Sequence, residues 1–210
     1  MLNVIKKIIS GFAAGLMVSI GGAVFLSCEN RYVGAVLFCV ALLCICMKGF
    51  ALFTGKIGFI PEKHGKEDWS ILLLCLAGNF LGTLACGLVL RYTFPAMSEA
   101  AFDLCSGKLA GQNAVQTLVR GIFCGVLMYM AVSIFRDKKS TLGILFGIPV
   151  FILCGFEHSI ADMFYFAVSG IVSGEACGFI FIVVAGNAVG GMLIPLLSMA
   201  GEKKAKTEGN

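Results

Sequence analysis

The chain has 210 residues and a formal net charge of +4, and hydrophobic residues make up 59% of it while charged residues make up only 13%. A soluble domain usually contains about a quarter of charged residues. This composition therefore excludes an ordinary soluble fold and favours a protein whose apolar faces are solvated by lipid. The basic residues are scattered in short clusters between apolar runs, which argues against a nucleic-acid partner and indicates membrane orientation instead.

Six apolar segments are predicted to span the membrane as helices, because a bilayer core requires about 20 apolar residues per helix. In chain order they are residues 8–28, 32–60, 69–90, 112–135, 140–174 and 176–201. The first, third and sixth contain no charged residue, whereas the other three do. The first is too long for the core of a cleavable signal peptide. We therefore expect one transmembrane domain over residues 1–201 and a short cytoplasmic tail over residues 202–210.

The basic residues between these segments are distributed unequally over the two sides of the predicted bundle. One side has Lys6, Lys7, Lys63, Lys66, Arg136, Lys138, Lys139, Lys203, Lys204 and Lys206, and the other has Arg31, Arg91 and Lys108. This positive-inside asymmetry predicts a multi-pass protein of the cell's inner (plasma) membrane with both termini in the cytoplasm. The long connection over residues 91–111 is then an outer loop.

The two halves of the chain contain matching elements. A Gly-Asn-x-x-Gly element occurs at residues 78–82 and again at 186–190, and each is preceded by a Gly-Phe element, at residues 49–50 and 155–156. The halves, about residues 1–92 and 112–201, each hold three spans with an interrupted middle one. An odd number of spans inverts the second half relative to the first, as in transporters whose broken helices meet near the midplane. Chance similarity between Gly-rich apolar helices is the alternative.

Ionisable residues inside the fifth segment are the strongest functional signal. Glu157, His158 and Asp162 lie within six residues of one another, and burying such groups in a membrane is costly unless they face a cavity or one another. An imidazole can exchange a proton near neutral pH, although burial favours its neutral form. A passing weak-acid anion could accept a proton at His158 or respond to its transient charge. A structural histidine bonded to Glu157 or to a helix end is the alternative, and the other histidine, His64, lies in a predicted cytoplasmic loop.

The second segment supplies a matching interruption around Thr54. Glycines at positions 49, 55 and 58 permit backbone turns there, and an interrupted helix exposes amides that attract anions. Thr54 is either a hydrogen-bond partner of His158 or an ordinary threonine bonded to its own helix. We expect Asn79 and Asn187 to hold the interrupted backbone in shape rather than to contact a solute, and we assign Glu157 the same loop-structuring role.

The sequence leaves the roles of three basic residues near the spans undecided. Lys108 could draw anions into an outer vestibule, or it is a solvated loop lysine. Arg120 and Lys48 lie inside their predicted segments, away from the ends. Their side chains either extend toward an interface or pair with Glu157 or Asp162. The sequence does not assign these pairs.

The chain offers no recognisable metal or cofactor site. Its ten cysteines form no C-x-x-C pair, and Cys44 and Cys46 are too close for a zinc knuckle and have no nearby histidine. We interpret all ten cysteines as small hydrophobic core residues, and we predict no cofactor, no metal and no catalytic residue.

Taken together, these residues resemble the formate/nitrite transporter family. The resemblance rests on Leu52-Phe53-Thr54-Gly55, on the Gly-Phe-Glu-His-Ser-Ile-Ala string at residues 155–161 and on the two Gly-Asn-x-x-Gly elements. It covers nearly the whole chain.

The resemblance implies an all-α integral membrane protein with six transmembrane helices in an aquaporin-like inverted 3+3 repeat, the second and fifth helices being broken. It also implies a homopentamer that transports formate, nitrite or a similar small monovalent anion, in some members together with protons. By position, His158 is the central pore histidine, Thr54 its hydrogen-bond partner, and Lys108 lies within about one residue of the family's vestibule lysine. Residues implied to form two hydrophobic constrictions around the histidine are Phe38, Leu42, Leu52, Phe53 and Phe151.

The chain departs from the family pattern at four positions. Ala51 replaces an acidic residue, Gly125 replaces an asparagine of the fourth helix, Asp162 replaces the asparagine after Glu-His-Ser-Ile-Ala, and Lys48 is an additional charge. These changes put the identity of the substrate and any pH gating in question more than the fold.

Other functions were weighed against anion transport. A hydrosulfide or short-chain monocarboxylate channel of the same family fits equally well. A membrane-embedded enzyme using Glu157 and His158 needs a nucleophile or metal cluster, and no H-E-x-x-H string is present. A water or glycerol channel would need the paired Asn-Pro-Ala loops, which the sequence lacks.

Overall fold

The computed structural model describes residues 2–62 and 65–208, and this part of the chain is helical with no β-strand. Lys63 and His64 lie outside the described residues. In chain order the helices are α1 (Leu2–Ser27), α2 (Arg31–Leu37), α3 (Cys39–Lys48), α4 (Phe53–Lys56), α5 (Lys66–Thr93), α6 (Pro95–Gly111), α7 (Ala114–Lys138), α8 (Leu142–Leu153), α9 (Ser159–Ser169) and α10 (Gly174–Glu208). A short 3-10 turn, Ile57–Phe59, follows α4.

Five helical stretches of the described chain are long and apolar enough to cross a membrane. They are Val4–Ser27, Arg31–Lys48, Glu67–Thr93, Ala114–Lys138 and Gly174–Gly201. The predicted fifth segment contains two shorter apolar helices instead, α8 and α9, with residues 154–158 between them. The chain is therefore an all-helical protein with several apolar helices, as the composition predicts.

The expectation of a loop over residues 91–111 is wrong, because most of this connection is the 17-residue helix α6. Pro95 occupies the first helical turn, where a missing amide hydrogen has no cost, and no β-branched residue occurs between residues 95 and 111. Ala101 and Cys105 are buried on one side of α6, which packs against α9. The rigid helix fixes the position of Lys108, which a loop would not.

Two helices end in the same way at the two interruptions. Gly49 after α3 and Gly155 after α8 both have a φ of +69°, which a residue with a Cβ rarely adopts. The next amide then donates to a carbonyl five residues back, Phe50 N to Ile45 O at 3.0 Å and Phe156 N to Phe151 O at 2.9 Å. This closure satisfies terminal carbonyls and turns the chain sharply. It explains why a glycine begins each interruption.

Small residues bring two pairs of long helices into backbone contact. In the α1–α5 pair, a Cβ added at Gly11 would lie 2.8 Å from the Cys75 carbonyl oxygen. In the α7–α10 pair, a Cβ added at Gly186 would lie 2.7 Å from the Leu118 carbonyl oxygen and 2.9 Å from the Gly121 Cα. Glycine at these positions allows the close helix approach that is typical of membrane bundles.

The interpretation of all ten cysteines as core residues is wrong for the two exposed ones, whereas the half-buried Cys46 and Cys86 pack against the core. Cys39, Cys75, Cys105 and Cys124 are buried, but Cys154 and Cys177 are exposed and the other four are half-buried. The outer surface of a membrane protein is also apolar. Hydrophobic surroundings in the sequence therefore cannot distinguish a core cysteine from one on the outer surface.

We expect Gly186→Ala to lower the thermal unfolding temperature of the purified protein, because the added methyl group would meet backbone atoms that cannot move aside. Such overpacking costs about 1–3 kcal/mol. Gly178→Ala, in the same helix but with open space at its Cβ, is the control and should leave the unfolding temperature unchanged or raise it. Equal effects of the two substitutions would contradict the backbone-contact interpretation.

Candidate functional site

Two cavities lie at opposite ends of the helix bundle. The first, called the His158 cavity, has a volume of about 390 Å³ and is lined in part by Phe38, Lys108, Arg120, Phe151, Asp162 and His158. The second, called the Lys56 cavity, has a volume of about 560 Å³ and is lined in part by Lys7, Leu42, Leu52, Lys56, Arg136 and Lys139. Arg120 is near the beginning of α7 and Arg136 near its end. The length of that helix therefore separates the cavities.

His158 lies at the inner end of its cavity and is 4% exposed. It is the N-cap of α9, where its Nδ1 accepts a hydrogen bond from the Ala161 amide at 3.2 Å. Because Nδ1 accepts, the ring hydrogen of the neutral imidazole resides on Nε2. Nε2 then donates to the Thr54 hydroxyl oxygen, 2.9 Å away. Thr54, at the start of α4, is fully buried, and its hydroxyl hydrogen has no recorded acceptor among the described residues.

Apolar side chains separate the two cavities around this pair. The five residues assigned to constrictions are all buried: Phe38, Leu42, Leu52, Phe53 and Phe151. Phe38 packs edge-to-face on Phe151 with ring centroids 6.3 Å apart, and Phe151 stacks on the His158 ring at 5.7 Å. The two phenylalanines face the His158 cavity, whereas Leu42 and Leu52 face the Lys56 cavity.

Asn79 holds the interruption that contains Thr54. Its carbonyl oxygen accepts the Phe53 amide at 2.9 Å. Its amide group donates to the Ala51 carbonyl and to the Gly11 carbonyl of α1, both at 2.8 Å. One fully buried side chain of α5 therefore ties two helices and the interrupted backbone together.

Asn187 makes the corresponding bonds around His158. Its carbonyl oxygen accepts the Ser159 amide at 2.8 Å, and its amide group donates to the Glu157 carbonyl at 2.8 Å and to the Gly121 carbonyl of α7 at 2.9 Å. Gly125 lies beside this clamp, and a Cβ there would collide with the backbone carbonyl oxygen of Asn187. Close packing therefore explains why this chain has glycine at the position where the family has an asparagine.

Lys108 pairs with both carboxylates of the His158 segment. Its ammonium group contacts Glu157 Oε2, and it lies 3.1 Å from Asp162 Oδ1. Burial alone would lower the pKa of Lys108, but the charges of Asp162 and Glu157 outweigh it and raise the pKa above its usual range. The lysine therefore stays protonated, and it is not a solvated loop residue.

Among the described residues, neither Arg120 nor Lys48 forms an ion pair with these carboxylates. Arg120 lines the His158 cavity, but among the described residues neither carboxylate has an ion pair with it. Lys48 is exposed at the end of α3. Helix α6, which the sequence did not reveal as a helix, supplies Lys108 as the partner of the acids instead.

Gln112 belongs to the site although the sequence gave no reason to single it out. Its Nε2 donates to Glu157 Oε1 at 2.8 Å, so both oxygens of Glu157 are engaged by Gln112 and Lys108. The residue lies just beyond α6 at the lip of the His158 cavity. A polar residue between a vestibule helix and a spanning helix was the available signal.

The described residues contain no group of three or more His, Cys, Asp or Glu side chains that could hold a metal ion. Both carboxylate oxygens of Glu157 are bonded, one to Lys108 and one to Gln112. The site is a buried histidine that lines one of two cavities in an apolar helical protein and is hydrogen-bonded to a buried threonine. These features define the class of membrane channels and transporters.

Comparison with known proteins identifies the family. The sequence pattern described as "Formate/nitrite transporter" matches residues 1–200, so the chain belongs to the formate/nitrite transporter family. Because this family consists of transporters and channels, the enzyme hypothesis is rejected.

Individual relatives and one solved structure are similar to this chain. It is 23% identical over 184 residues to formate channel FocB of Escherichia coli (strain K12), covering 76% of this chain and 65% of that one. It is 29% identical over 174 residues to nitrite transporter NirC of Salmonella typhimurium (strain LT2), covering 76% of this chain and 63% of that one. The chain thus spans somewhat less than two thirds of these two relatives. A solved structure titled "Pentameric formate channel with formate bound" superimposes with a TM-score of 0.77 at 19% identity, over 94% of this chain and 96% of that one. This likeness shows the fold.

We expect Asn187→Ala to destabilise the protein by about 3 kcal/mol, because three buried hydrogen bonds of roughly 1 kcal/mol each are lost. The control is Asn113→Ala, which removes an exposed helix cap and should cost about 1 kcal/mol. Thermal unfolding of both variants in detergent measures the difference. A smaller loss for Asn187→Ala than for Asn113→Ala would contradict the clamp.

Proposed function

We propose that this protein is a channel or transporter for small monovalent anions, with formate or nitrite as the first candidates. Membership of the formate/nitrite transporter family supports this function. The observation that carries it is the hydrogen-bonded pair of His158 and Thr54, buried between two cavities at opposite ends of the bundle.

The proposed architecture is a single transmembrane domain over residues 1–201 with six spans in an inverted repeat, followed by a cytoplasmic tail. In this arrangement α2, α3 and α4 form the interrupted second span, and α8 and α9 form the interrupted fifth. The matching clamps of Asn79 and Asn187 support the repeat, because each bonds the carbonyl before and the amide after one residue, Leu52 or His158, at the end of an interruption. The likeness to a pentameric channel supports a homopentamer with one pore per protomer.

Passage between the cavities requires an anion to leave water, since the separating side chains are apolar. A bare charge in such a layer is strongly disfavoured, whereas a transiently protonated weak acid crosses at far lower cost. We propose that Phe38, Phe151, Leu42, Leu52 and Phe53 form the two constrictions and that the anion binds the imidazole between them.

Proton coupling through His158 is part of the same proposal. In the observed geometry the ring is neutral, because Nδ1 accepts the Ala161 amide. A proton can therefore add only at Nδ1, and this breaks the N-cap of α9. The resulting imidazolium attracts an anion and can return the proton to it. The broken cap makes the charged state short-lived, which suits transit rather than tight binding.

The Lys56 cavity has the electrostatic character of an anion entrance. Lys7, Lys56 and Lys139 line it together with Arg136, which is ion-paired with Glu62 and Asp137, and Asp68 is the one acid among its lining residues. Such a basic cleft raises the local anion concentration. Its position matches the side with the excess of basic residues, so we propose that the Lys56 cavity opens to the cytoplasm, that both termini lie there and that the protein resides in the plasma membrane.

The structure does not select one substrate among the small monovalent anions. Hydrosulfide or a short-chain monocarboxylate would also fit a cavity of about 390 Å³ lined by lysine, arginine and aromatic residues. A neutral-solute channel is less favoured, because neutral solutes would gain nothing from the basic Lys56 cavity.

The primary test is flux into proteoliposomes that contain the purified protein, comparing formate, nitrite, acetate, lactate and hydrosulfide. We expect formate or nitrite to enter faster than into empty vesicles, and faster as the external pH falls, since protons reduce the cost of the dry passage. Flux of all five solutes equal to that of empty vesicles would reject anion transport.

The role of His158 can be separated from its structural role with His158→Asn. Asparagine caps helix N-termini well, so the fold should persist, but it cannot carry a proton. We expect the maximal flux to lose its pH dependence while the concentration for half-maximal flux changes little. His158→Ala is the comparison, because it removes both the cap and the proton site. An unchanged pH profile for His158→Asn would contradict proton coupling at this residue.

A further inference from the structure

The charges beside His158 do not balance. Glu157 and Asp162 are both buried, at 2% and 1% exposed, and a single ammonium group, that of Lys108, contacts both. With all three groups ionised, the cluster carries a net charge of −1. It lies in the lining of a cavity that an anion is proposed to enter. Lys108 cannot attract an anion while two carboxylates occupy it.

The two carboxylates differ in how completely they are bonded. Both oxygens of Glu157 have partners, Lys108 and Gln112. Asp162 uses Oδ1 for Lys108, whereas its Oδ2 is buried and has no hydrogen-bond partner within residues 2–62 and 65–208. A buried carboxylate oxygen without a donor is the place where a proton is best accommodated.

In the described part of the chain no cation other than Lys108 forms an ion pair with Asp162, although the side chains of Arg31 and Arg120 also line the cavity. From α6 the facing groups are Lys108 and the Cys105 thiol, and from α7 the Cys124 thiol. From its own segment they are Glu157, the neutral His158 and the Tyr165 phenol. Arg120 lines the same cavity without bonding to it. Helices α1, α4, α5 and α10 contribute no hydrogen bond or ion pair to this carboxylate in the described part of the chain.

We infer that Asp162 determines whether the His158 cavity accepts an anion. When Asp162 is ionised, its carboxylate competes with the solute for Lys108 and repels it. When a proton from the solution facing this cavity adds to Oδ2, the cluster becomes neutral and the Lys108 ammonium can turn to an incoming anion. The proton-dependent step at Asp162 therefore governs capture, whereas the one proposed for His158 governs passage. This inference rests on the proposed anion transport.

The test is the concentration of formate or nitrite that gives half-maximal flux into proteoliposomes, measured at neutral and acid external pH. We expect Asp162→Asn to lower it about tenfold at neutral pH, equivalent to about 1.4 kcal/mol for one neighbouring charge. In the variant this concentration should no longer depend on pH, whereas in the unmodified protein it should fall on acidification. The maximal flux of the variant should keep its pH dependence, because His158 is intact.

Asp103→Asn is the matched control. Asp103 lines the same cavity and loses the same charge, but it is exposed and has no ion pair among the described residues. Water and salt screen the charge of Asp103. In the Asp103→Asn variant, the anion concentration that gives half-maximal flux should therefore change less than about twofold. The double variant Lys108→Gln with Asp162→Asn should lose the gain of the single variant, since the gain requires the released ammonium group.

A folding defect cannot imitate the expected result, because the single substitution is expected to improve capture. If Asp162→Asn does not yield folded protein, Asp162→Ser removes the same charge in a smaller side chain. A folded variant with an unchanged or raised half-maximal concentration at neutral pH would overturn the inference while leaving anion transport intact. Absence of flux in the unmodified protein would overturn the proposed function and this inference together.

Discussion

The structure depends on the satisfaction of backbone groups at two interrupted helices. An amide or carbonyl without a partner inside a membrane costs several kcal/mol, and each interruption leaves both kinds of group behind. Asn79 and Asn187 supply a donor and an acceptor to each break and anchor them to α1 and α7. The interruptions are therefore stable features of the fold, and the side chains that follow them, Thr54 and His158, are held at fixed positions.

In this arrangement the hydrogen bond that caps α9 uses the same imidazole nitrogen that we propose to accept a proton. The imidazole of His158 caps α9 through one nitrogen and contacts Thr54 through the other. A proton added to Nδ1 removes the cap, whereas the Nε2 hydrogen can still be donated to Thr54. The apolar residues around the ring, Phe38 and Phe151 among them, raise the cost of any charge there. A neutral resting histidine is the state that this combination favours.

The two cavities differ in the way their charges are arranged. In the Lys56 cavity three lysines face one lining acid, Asp68, while Arg136 is paired with Glu62 and Asp137. The lysines are therefore expected to favour the entry of an anion. In the His158 cavity Lys108 is shared between Glu157 and Asp162, and the basic and acidic side chains are more evenly matched. Capture of an anion from the two sides is therefore expected to respond differently to pH and to ionic strength. In our proposal Asp162, one of the departures from the family pattern, is the residue responsible for this difference.

The sequence by itself determined the membrane class, the long apolar helices, the family and the candidate residues, because hydrophobic length and Gly-Asn-x-x-Gly or Glu-His-Ser strings are local properties. It did not reveal that residues 95–111 form a helix, that Lys108 rather than Arg120 or Lys48 meets the carboxylates, or which cysteines are buried. Those outcomes depend on which face of a helix meets which neighbour. In an apolar protein the inward and outward faces look alike in the sequence, so only the packed tertiary structure could decide them.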